Sequence, residues 1–96
     1  MSASDAKERD FAKRVAIALE YDFAGAPRVT AKGRGHVAEA ILKIARESGV
    51  AIEENHALAE ALSGVDLDQE IPEALYRAVA EVLTFVLRAR NALPRR

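Results

Sequence analysis

The spacing of apolar and polar residues changes several times along the 96-residue chain. Over residues 14–21 bulky apolar side chains alternate with small ones, which predicts a strand with one bulky and one small face. Turn-forming residues over 22–27 precede a second predicted strand at 28–32. From His36 the spacing becomes helical, and Gly49 is placed to end that helix. The first half of the chain therefore predicts two strands followed by a helix.

The second half predicts a shorter series of elements. A third strand is expected at 50–53, and Asn55 is a suitable N-cap for a brief helix that follows. The acidic segment 65–70 predicts a loop. Pro72 then opens the longest predicted helix, in which apolar residues recur at helical spacing.

These elements define three parts of the chain. Residues 1–13 carry few apolar side chains and predict an N-terminal arm or a short helix, residues 14–92 form one domain, and residues 93–96 form a basic tail. The element order α-β-β-α-β-α-α predicts an α/β (α+β-like) fold with a small mixed three-stranded sheet flanked by helices. In that sheet the first two strands form a hairpin, and the third follows a helical crossover.

Composition excludes several classes of function. The chain has no Cys, which removes disulfides, thiolate zinc sites and thiol nucleophiles. Fourteen basic and fifteen acidic residues give a formal charge of −1, which provides no general attraction for nucleic acid. No apolar run reaches the roughly 20 residues of a membrane span. We therefore expect a cytoplasmic monomer with no nucleic-acid partner and no membrane span of its own.

One short motif suggests an alternative, small anion-binding or nucleotide-binding domain. Lys32, Gly33, Arg34 and Gly35 join a predicted strand to a helix N-terminus, where backbone N–H groups can bind an anion. The glycine spacing matches neither of the common phosphate-binding loops, so a plain strand-to-helix turn is the competing interpretation.

Other chemistry-bearing residues form no recognisable site. Two His–Glu pairs lie one helical turn apart, and three hydroxyls are possible nucleophiles: His36 with Glu39, His56 with Glu60, and Ser48, Ser63 and Thr84. Neither pair has a third ligand at a metal-site spacing, and no hydroxyl lies in a nucleophile motif. We expect Thr84 to bond a preceding carbonyl of its own helix. The sequence predicts no metal, no cofactor and no enzyme.

Four segments taken in order resemble one protein family. They are VAIALEYD at 15–22, APRVTAKG at 26–33, EIPEALY at 70–76 and AVAEVL at 78–83. The series closely resembles the cytoplasmic C-terminal domain of the FlhB/YscU export-gate proteins of flagellar and virulence type III secretion. The resemblance implies that residues 14–92 are such a domain.

Two departures from the family pattern change what the resemblance implies. Family members carry Asn-Pro-Thr-His before the first matching strand, where the Asn side chain attacks its own carbonyl and cleaves the chain. Here Phe11, Ala12, Lys13 and Arg14 stand in that place, so we expect no self-cleavage. The family's membrane-spanning half and the strand before the motif have no counterpart here, which suggests a free-standing version of the released fragment.

The resemblance implies a role in protein export. We expect a non-enzymatic component or modulator that takes part in substrate recognition and in the switch of substrate specificity, with export substrates and other export-apparatus proteins as partners. Such a protein would be recruited to the membrane-embedded export gate. The family's substrate-docking patch corresponds to Ala26, Pro27, Ala80 and Leu83. Two alternatives stay open: a dispensable paralogue that competes with the full-length gate protein, and a plain turn and core role for these four residues.

Overall fold

The structure, a computed structural model, describes the backbone of residues 11–92 and the side chains of residues 11–86. Residues 11–13 are helical. The rest of the predicted arm and the predicted tail at 93–96 lie outside the described residues.

The first two strands form the predicted hairpin. β1 spans Val15–Glu20 and β2 spans Arg28–Arg34, and they pair antiparallel. Ala16 lies opposite Gly33, and the register shifts between Ala18 and Leu19. The alternation of small and bulky residues therefore gives the sheet two different faces, as the sequence predicts.

The third strand predicted at 50–53 is wrong. Among the described residues the sheet has two strands, β1 and β2, and the predicted parallel crossover is absent. The amide of Val50 is used by the preceding helix, because it donates to the Ala45 carbonyl at 2.9 Å beyond Gly49 at φ 70°. This is a Schellman motif, in which Gly is common because it adopts a positive φ without strain. The mixed helix-and-strand fold class is confirmed, and the strand count is corrected.

Four helical segments complete the described part of the chain. They are α1 at His36–Glu47, α2 at His56–Leu62, a 3-10 turn at Glu73–Leu75 and α3 at Tyr76–Ala92. Asn55 caps α2 as predicted, since its side-chain oxygen accepts from the Leu58 amide at 3.0 Å. The helix expected from Pro72 begins with the 3-10 turn before it becomes α-helical.

Helix α1 packs on the small face of the sheet at close range. A methyl group on Gly33 would lie 2.6 Å from Cβ of Val37, so α1 approaches β2 more closely than any larger residue allows. Ala16 of β1 and Ala38 of α1 are both buried on this side. Small residues on both elements therefore set the distance between helix and sheet.

The bulky face of the sheet carries the core. Its centre is a cluster of four buried residues: Val29, Leu62, Ile71 and Val79. Ile17 and Leu19 of β1 pack against this cluster, together with residues of α2 and α3. The sheet thus lies between α1 on one side and the α2 and α3 layer on the other. This arrangement positions the residues that the family resemblance singles out.

Candidate functional site

The turn between β1 and β2 is fixed by hydrogen bonds at both ends. Asp22 Oδ1 accepts from the Ala24 amide at 2.9 Å, which closes the turn locally. The Pro27 carbonyl accepts from the Ile71 amide at 2.9 Å, and Pro27 is buried. Ala26 is half-buried against the core cluster. The turn therefore holds Ala26 and Pro27 in fixed positions beside the core.

Helix α3 presents the other two predicted residues at the border between its core face and its outer face. Leu83 is half-buried and packs against the same core cluster as Ala26. Ala80 lies three residues earlier and is exposed, so the two are neighbours on the helix surface. Thr84 donates its hydroxyl to the Ala80 carbonyl at 2.7 Å, which confirms the predicted helix bond.

The four predicted residues do not share one cavity. Ala26 and Leu83 share the core cluster, and Pro27 is hydrogen-bonded to Ile71 of that cluster. Ala80 lines a shallow open hollow along α3 with four other residues: Arg77, Glu81, Thr84 and Phe85. Ala26 lines a different, more polar hollow with Glu20, Asp22, Arg28, Thr30 and Asp68. The geometry offers a shallow surface and no deep binding pocket at these positions.

Phe85 is a surface feature that the sequence reasoning missed. Its side chain is 61% exposed in the hollow beside Ala80. It lies four and eight residues after Glu81 and Arg77, on the polar face of α3 and away from the core positions. That spacing is the signal in the sequence, because it places Phe85 on the same helix face as Arg77 and Glu81.

Both charged side chains of the motif from Lys32 to Gly35 bind partners within the chain. Lys32 Nζ donates to the carbonyls of Ser63 at 3.1 Å and Val65 at 2.8 Å. Arg34 donates through both terminal nitrogens to the Glu60 carboxylate, each at 2.8 Å. Since both cations already have partners, the structure gives no support to the anion-binding alternative.

The ion pair between Arg34 and Glu60 shifts the pKa values of both side chains. The hydrogen bond and the charge of Glu60 raise the pKa of Arg34. The hydrogen bond from Arg34 lowers the pKa of Glu60, against a smaller opposing effect of desolvation. His56 Nε2 lies 3.7 Å from Glu60, one turn earlier on α2. This cluster joins the end of β2 to α2 and is exposed.

The predicted absence of metal chemistry stays a prediction. The ring of His36 packs against that of Phe11 in a tilted arrangement, with ring centroids 4.8 Å apart, and Glu39 pairs with Arg14. Within residues 11–92 no group of three or more His, Asp or Glu side chains is close enough to hold a metal ion. No helix in that range is long and apolar enough to cross a membrane.

The described residues form a small three-layer domain, and its fold and sequence both match one protein family. The sequence profile of the FlhB HrpN YscU SpaS Family matches residues 12–86, and the chain belongs to this family. The fold agrees, because the chain superposes on the cytoplasmic domain of FlhB from Shewanella putrefaciens with a TM-score of 0.76 and 43% identity. That match covers 83% of this chain and 67% of the other.

Two curated relatives differ in how much of their length the chain matches. The uncharacterized protein YlqH of Bacillus subtilis (strain 168) is 48% identical over 75 residues, which are 76% of this chain and 81% of YlqH. The flagellar biosynthetic protein FlhB of the same organism is 44% identical over 79 residues, or 79% of this chain and 22% of FlhB. The chain therefore spans about a fifth of that FlhB, and the family resemblance read from the sequence is confirmed.

Proposed function

We propose that the chain is a non-enzymatic docking module of the flagellar or type III export apparatus. In this role it stands in for the released cytoplasmic fragment of the export-gate protein. It takes part in recognising export substrates and in switching between them, and it works at the membrane-embedded export gate. Family membership supports a role in export, and the finer role rests on the surface around Ala80.

The observation that carries the proposal is the position of Ala26 and Leu83 against one buried cluster, with Ala80 exposed one helical turn before Leu83. The Pro27 carbonyl accepts from the Ile71 amide, so the turn cannot move away from this residue of the core cluster without losing a hydrogen bond. We call Ala26, Pro27, Ala80 and Leu83 the docking ledge. Its four residues are apolar, Pro27 is buried and fixes the turn, and the exposed parts of Ala80 and Leu83 suit one short hydrophobic anchor of a partner.

The size of the ledge sets the expected strength of binding. A surface this small buries far less area than a stable protein–protein interface, so affinities in the micromolar range or weaker follow. Weak binding suits a substrate that must be released for export. Phe85, in the hollow that Ala80 lines, extends the apolar surface along α3.

The test is binding of early export substrates to the purified chain and to two matched variants. Ala80→Asp places a charge on the docking ledge, whereas Ala40→Asp makes the same change on the exposed face of α1. We expect Ala80→Asp to weaken binding at least tenfold and Ala40→Asp to leave it unchanged, with circular dichroism confirming the fold of both. Equal binding by the native chain and Ala80→Asp would refute the ledge.

Gene deletion separates a working component from a dispensable competitor of the full-length gate protein. Under the proposal, deletion alters hook length or filament assembly, and the native gene restores both while the Ala80→Asp gene does not. A deletion strain with normal hooks and filaments would favour the dispensable competitor.

A further inference from the structure

We propose that one apolar face of α1 binds a single amphipathic helix of a different protein, which packs lengthwise against α1. The face consists of Val37, Ile41 and Ile44, which we call the α1 stripe. The α1 stripe and the docking ledge lie on opposite faces of the sheet, so the two sites are independent. The exposure of the stripe, its direction and the shape of the neighbouring sheet edge all favour one bare helix as the occupant.

The α1 stripe is apolar and open to solvent. Val37 is 55% exposed and Ile44 is 62% exposed, and Ile41 between them is half-buried. Their spacing of four and three residues places all three on one face over two helical turns. The contact between α1 and the sheet uses a different face, which carries the buried Ala38 and, one turn later, the half-buried Leu42. The apolar surface of α1 is therefore wider than its contact with the sheet requires.

The α1 stripe points away from β1. Arg14, directly before β1, pairs with Glu39, so the flank of α1 that carries Glu39 faces β1. Because successive residues of a helix are rotated by about 100°, Val37 and Ile44 lie on the opposite flank. Val37 accordingly lies against β2, where a methyl group on Gly33 would be 2.6 Å from its Cβ. The stripe is therefore on the β2 side of the domain, remote from the outer edge of β1.

The sheet continues past β2 on the side towards which the α1 stripe points. The Val29 amide donates to the Gln69 carbonyl at 3.1 Å, and the Asp68 amide donates to the Val29 carbonyl at 2.7 Å. Residues 68–70 therefore lie in the plane of the sheet, as a strip along the outer edge of β2. In the described part of the chain α1 packs mainly against the two strands. The flank of α1 that carries the stripe and this strip of sheet together form a corner.

The shape of the corner excludes a second copy of this chain as the occupant. Helices pack with their axes about 8–10 Å apart. In a symmetric pair of α1 stripes, residues 68–70 would extend each sheet by about 4.8 Å past β2 towards the other copy. Since α1 packs above β1 and β2, the two sheet edges would collide before the helices met. A bare helix brings no sheet of its own and can enter the corner.

The segments of this chain that lie outside the described residues do not supply such a helix. Residues 1–10 contain no Val, Ile, Leu or aromatic residue. Residues 93–96 contain one, Leu93, which Pro94 follows directly, and they come after α3 on the other face of the sheet. Neither segment can place three large apolar side chains along the α1 stripe. The occupant is therefore a helix of another protein.

Two charged residues beside the α1 stripe define the chemistry of that helix. Lys43 and Glu47 are exposed and lie one turn apart on the solvent side of the stripe. A helix that fits the corner carries Leu, Ile or Val at helical spacing against the stripe, with an acidic residue opposite Lys43 and a basic residue opposite Glu47. A contact of two to three turns is small, so affinities in the micromolar range or weaker follow.

The test selects binders to the full chain from a phage-displayed library of helical peptides about 18 residues long, a length at which a helix can form. One face of each peptide is randomised. We expect the selected peptides to carry Leu, Ile or Val at helical spacing, to gain helicity on binding by circular dichroism, and to shift the NMR amide signals of Val37 and Ile44. A selection without binders, or binders that leave both signals in place, would overturn the proposal.

Matched variants separate the α1 stripe from other surfaces. Ile44→Asp places a charge on the stripe, and Val50→Asp makes a similar change at another exposed apolar residue, beyond the end of α1. We expect Ile44→Asp to weaken peptide binding at least tenfold and Val50→Asp to leave it unchanged, and equal binding by the native chain and Ile44→Asp would refute the stripe. If Ile44→Asp does not fold, the NMR shifts of the native chain decide the matter. Ala80→Asp should bind the peptides normally, so failure of the docking ledge and failure of the α1 stripe are told apart.

A charge exchange tests the chemistry assigned to the partner helix. Lys43→Glu combined with Glu47→Lys keeps the net charge and should weaken binding of the peptides selected on the native chain about threefold. Selection on this double variant should return the two partner charges in reversed order, and an unchanged order would contradict the assigned chemistry. A dimer in sedimentation that dissociates on adding peptide would assign the stripe to a second copy and refute the proposed occupant.

Discussion

Lys32 on β2 and Val65 after α2 are joined by a hydrogen bond of 2.8 Å from the ammonium group to a backbone carbonyl. The same ammonium group donates to the Ser63 carbonyl at 3.1 Å. The Ser63 carbonyl belongs to the C-cap of α2, where helical partners are missing and a cation is favoured, and the Val65 carbonyl lies in the bend that follows. Lys32 therefore caps α2 from the neighbouring strand, and the contact fixes the α2 layer on the bulky face of the sheet.

Replacing Lys32 by Met should destabilise the chain by about 1–2 kcal/mol, because two partly buried carbonyls lose a charged donor. Equilibrium unfolding in urea measures this effect. Lys43→Met, at an exposed position of α1, makes the same chemical change and should alter stability by less than about 0.5 kcal/mol. Equal effects at the two positions would show that the cap contributes nothing.

The pair of Arg34 and Glu60 predicts a loss of stability in acid. The pKa of Glu60 is lower in the folded chain than its ordinary value, because Arg34 donates to its carboxylate. Its contribution is therefore present at neutral pH and is lost as the pH falls below the usual glutamate range of about 4.3. Thermal unfolding across pH 2–7, taken in steps of about one unit, should show a shallower acid decline for Glu60→Gln than for the native chain. Glu47→Gln is the control, and a native-like decline in Glu60→Gln would contradict the prediction.

The contact between Gly33 and Val37 predicts an unusually costly glycine substitution. A methyl group at Gly33 would overlap the side chain of Val37, which is β-branched and cannot rotate away freely. We expect Gly33→Ala to cost about 1–3 kcal/mol in urea unfolding, as overpacked sites do. Gly64 provides the matched control, since its added methyl would lie 3.8 Å from the nearest atom, the Ala61 carbonyl oxygen. A neutral Gly33→Ala would mean that α1 moves off the sheet at little cost.

Local signals along the chain were sufficient to predict most of the fold. The alternation over β1, the N-cap at Asn55 and the helix-ending Gly49 each depend on near neighbours in sequence, and each is found in the structure. The prediction of a third strand was wrong for a non-local reason. The segment 50–53 has strand-forming residues, but a strand forms only where its backbone pairs with another strand, and residues 51–54 make no backbone–backbone hydrogen bond within the described range.

The residues of the candidate site come from the family resemblance, and their surroundings depend on contacts between distant parts of the chain. The structure packs Ala26 and Leu83 against one cluster, and their docking role stays a prediction. Lys32 and Arg34 bind partners more than 25 residues away in sequence. The local motif does not indicate those partners, and for that reason it suggested an anion-binding alternative. The sequence did not indicate Phe85 as a surface residue of interest, because helical spacing identifies core residues and does not identify an exposed aromatic one.

The last prediction concerns residues 11–14, which the family resemblance aligns with the self-cleavage motif. In that reaction the Asn side chain attacks its own backbone carbonyl and the following peptide bond breaks. None of Phe11, Ala12, Lys13 and Arg14 carries a side-chain amide, and no Asn-Pro bond occurs anywhere in the chain. We expect the purified chain to stay a single species of 10.4 kDa through prolonged incubation at neutral pH, measured by mass spectrometry.

A family member that carries Asn-Pro-Thr-His, purified and incubated in parallel, is the positive control for this measurement. Arg14 also donates its amide to the Phe11 carbonyl at 3.0 Å, so the segment is folded as the end of a helical turn. Cleavage of the native chain into two fragments between residues 11 and 14 would show that a chemistry other than asparagine attack operates at this position. The non-enzymatic interpretation would then fail.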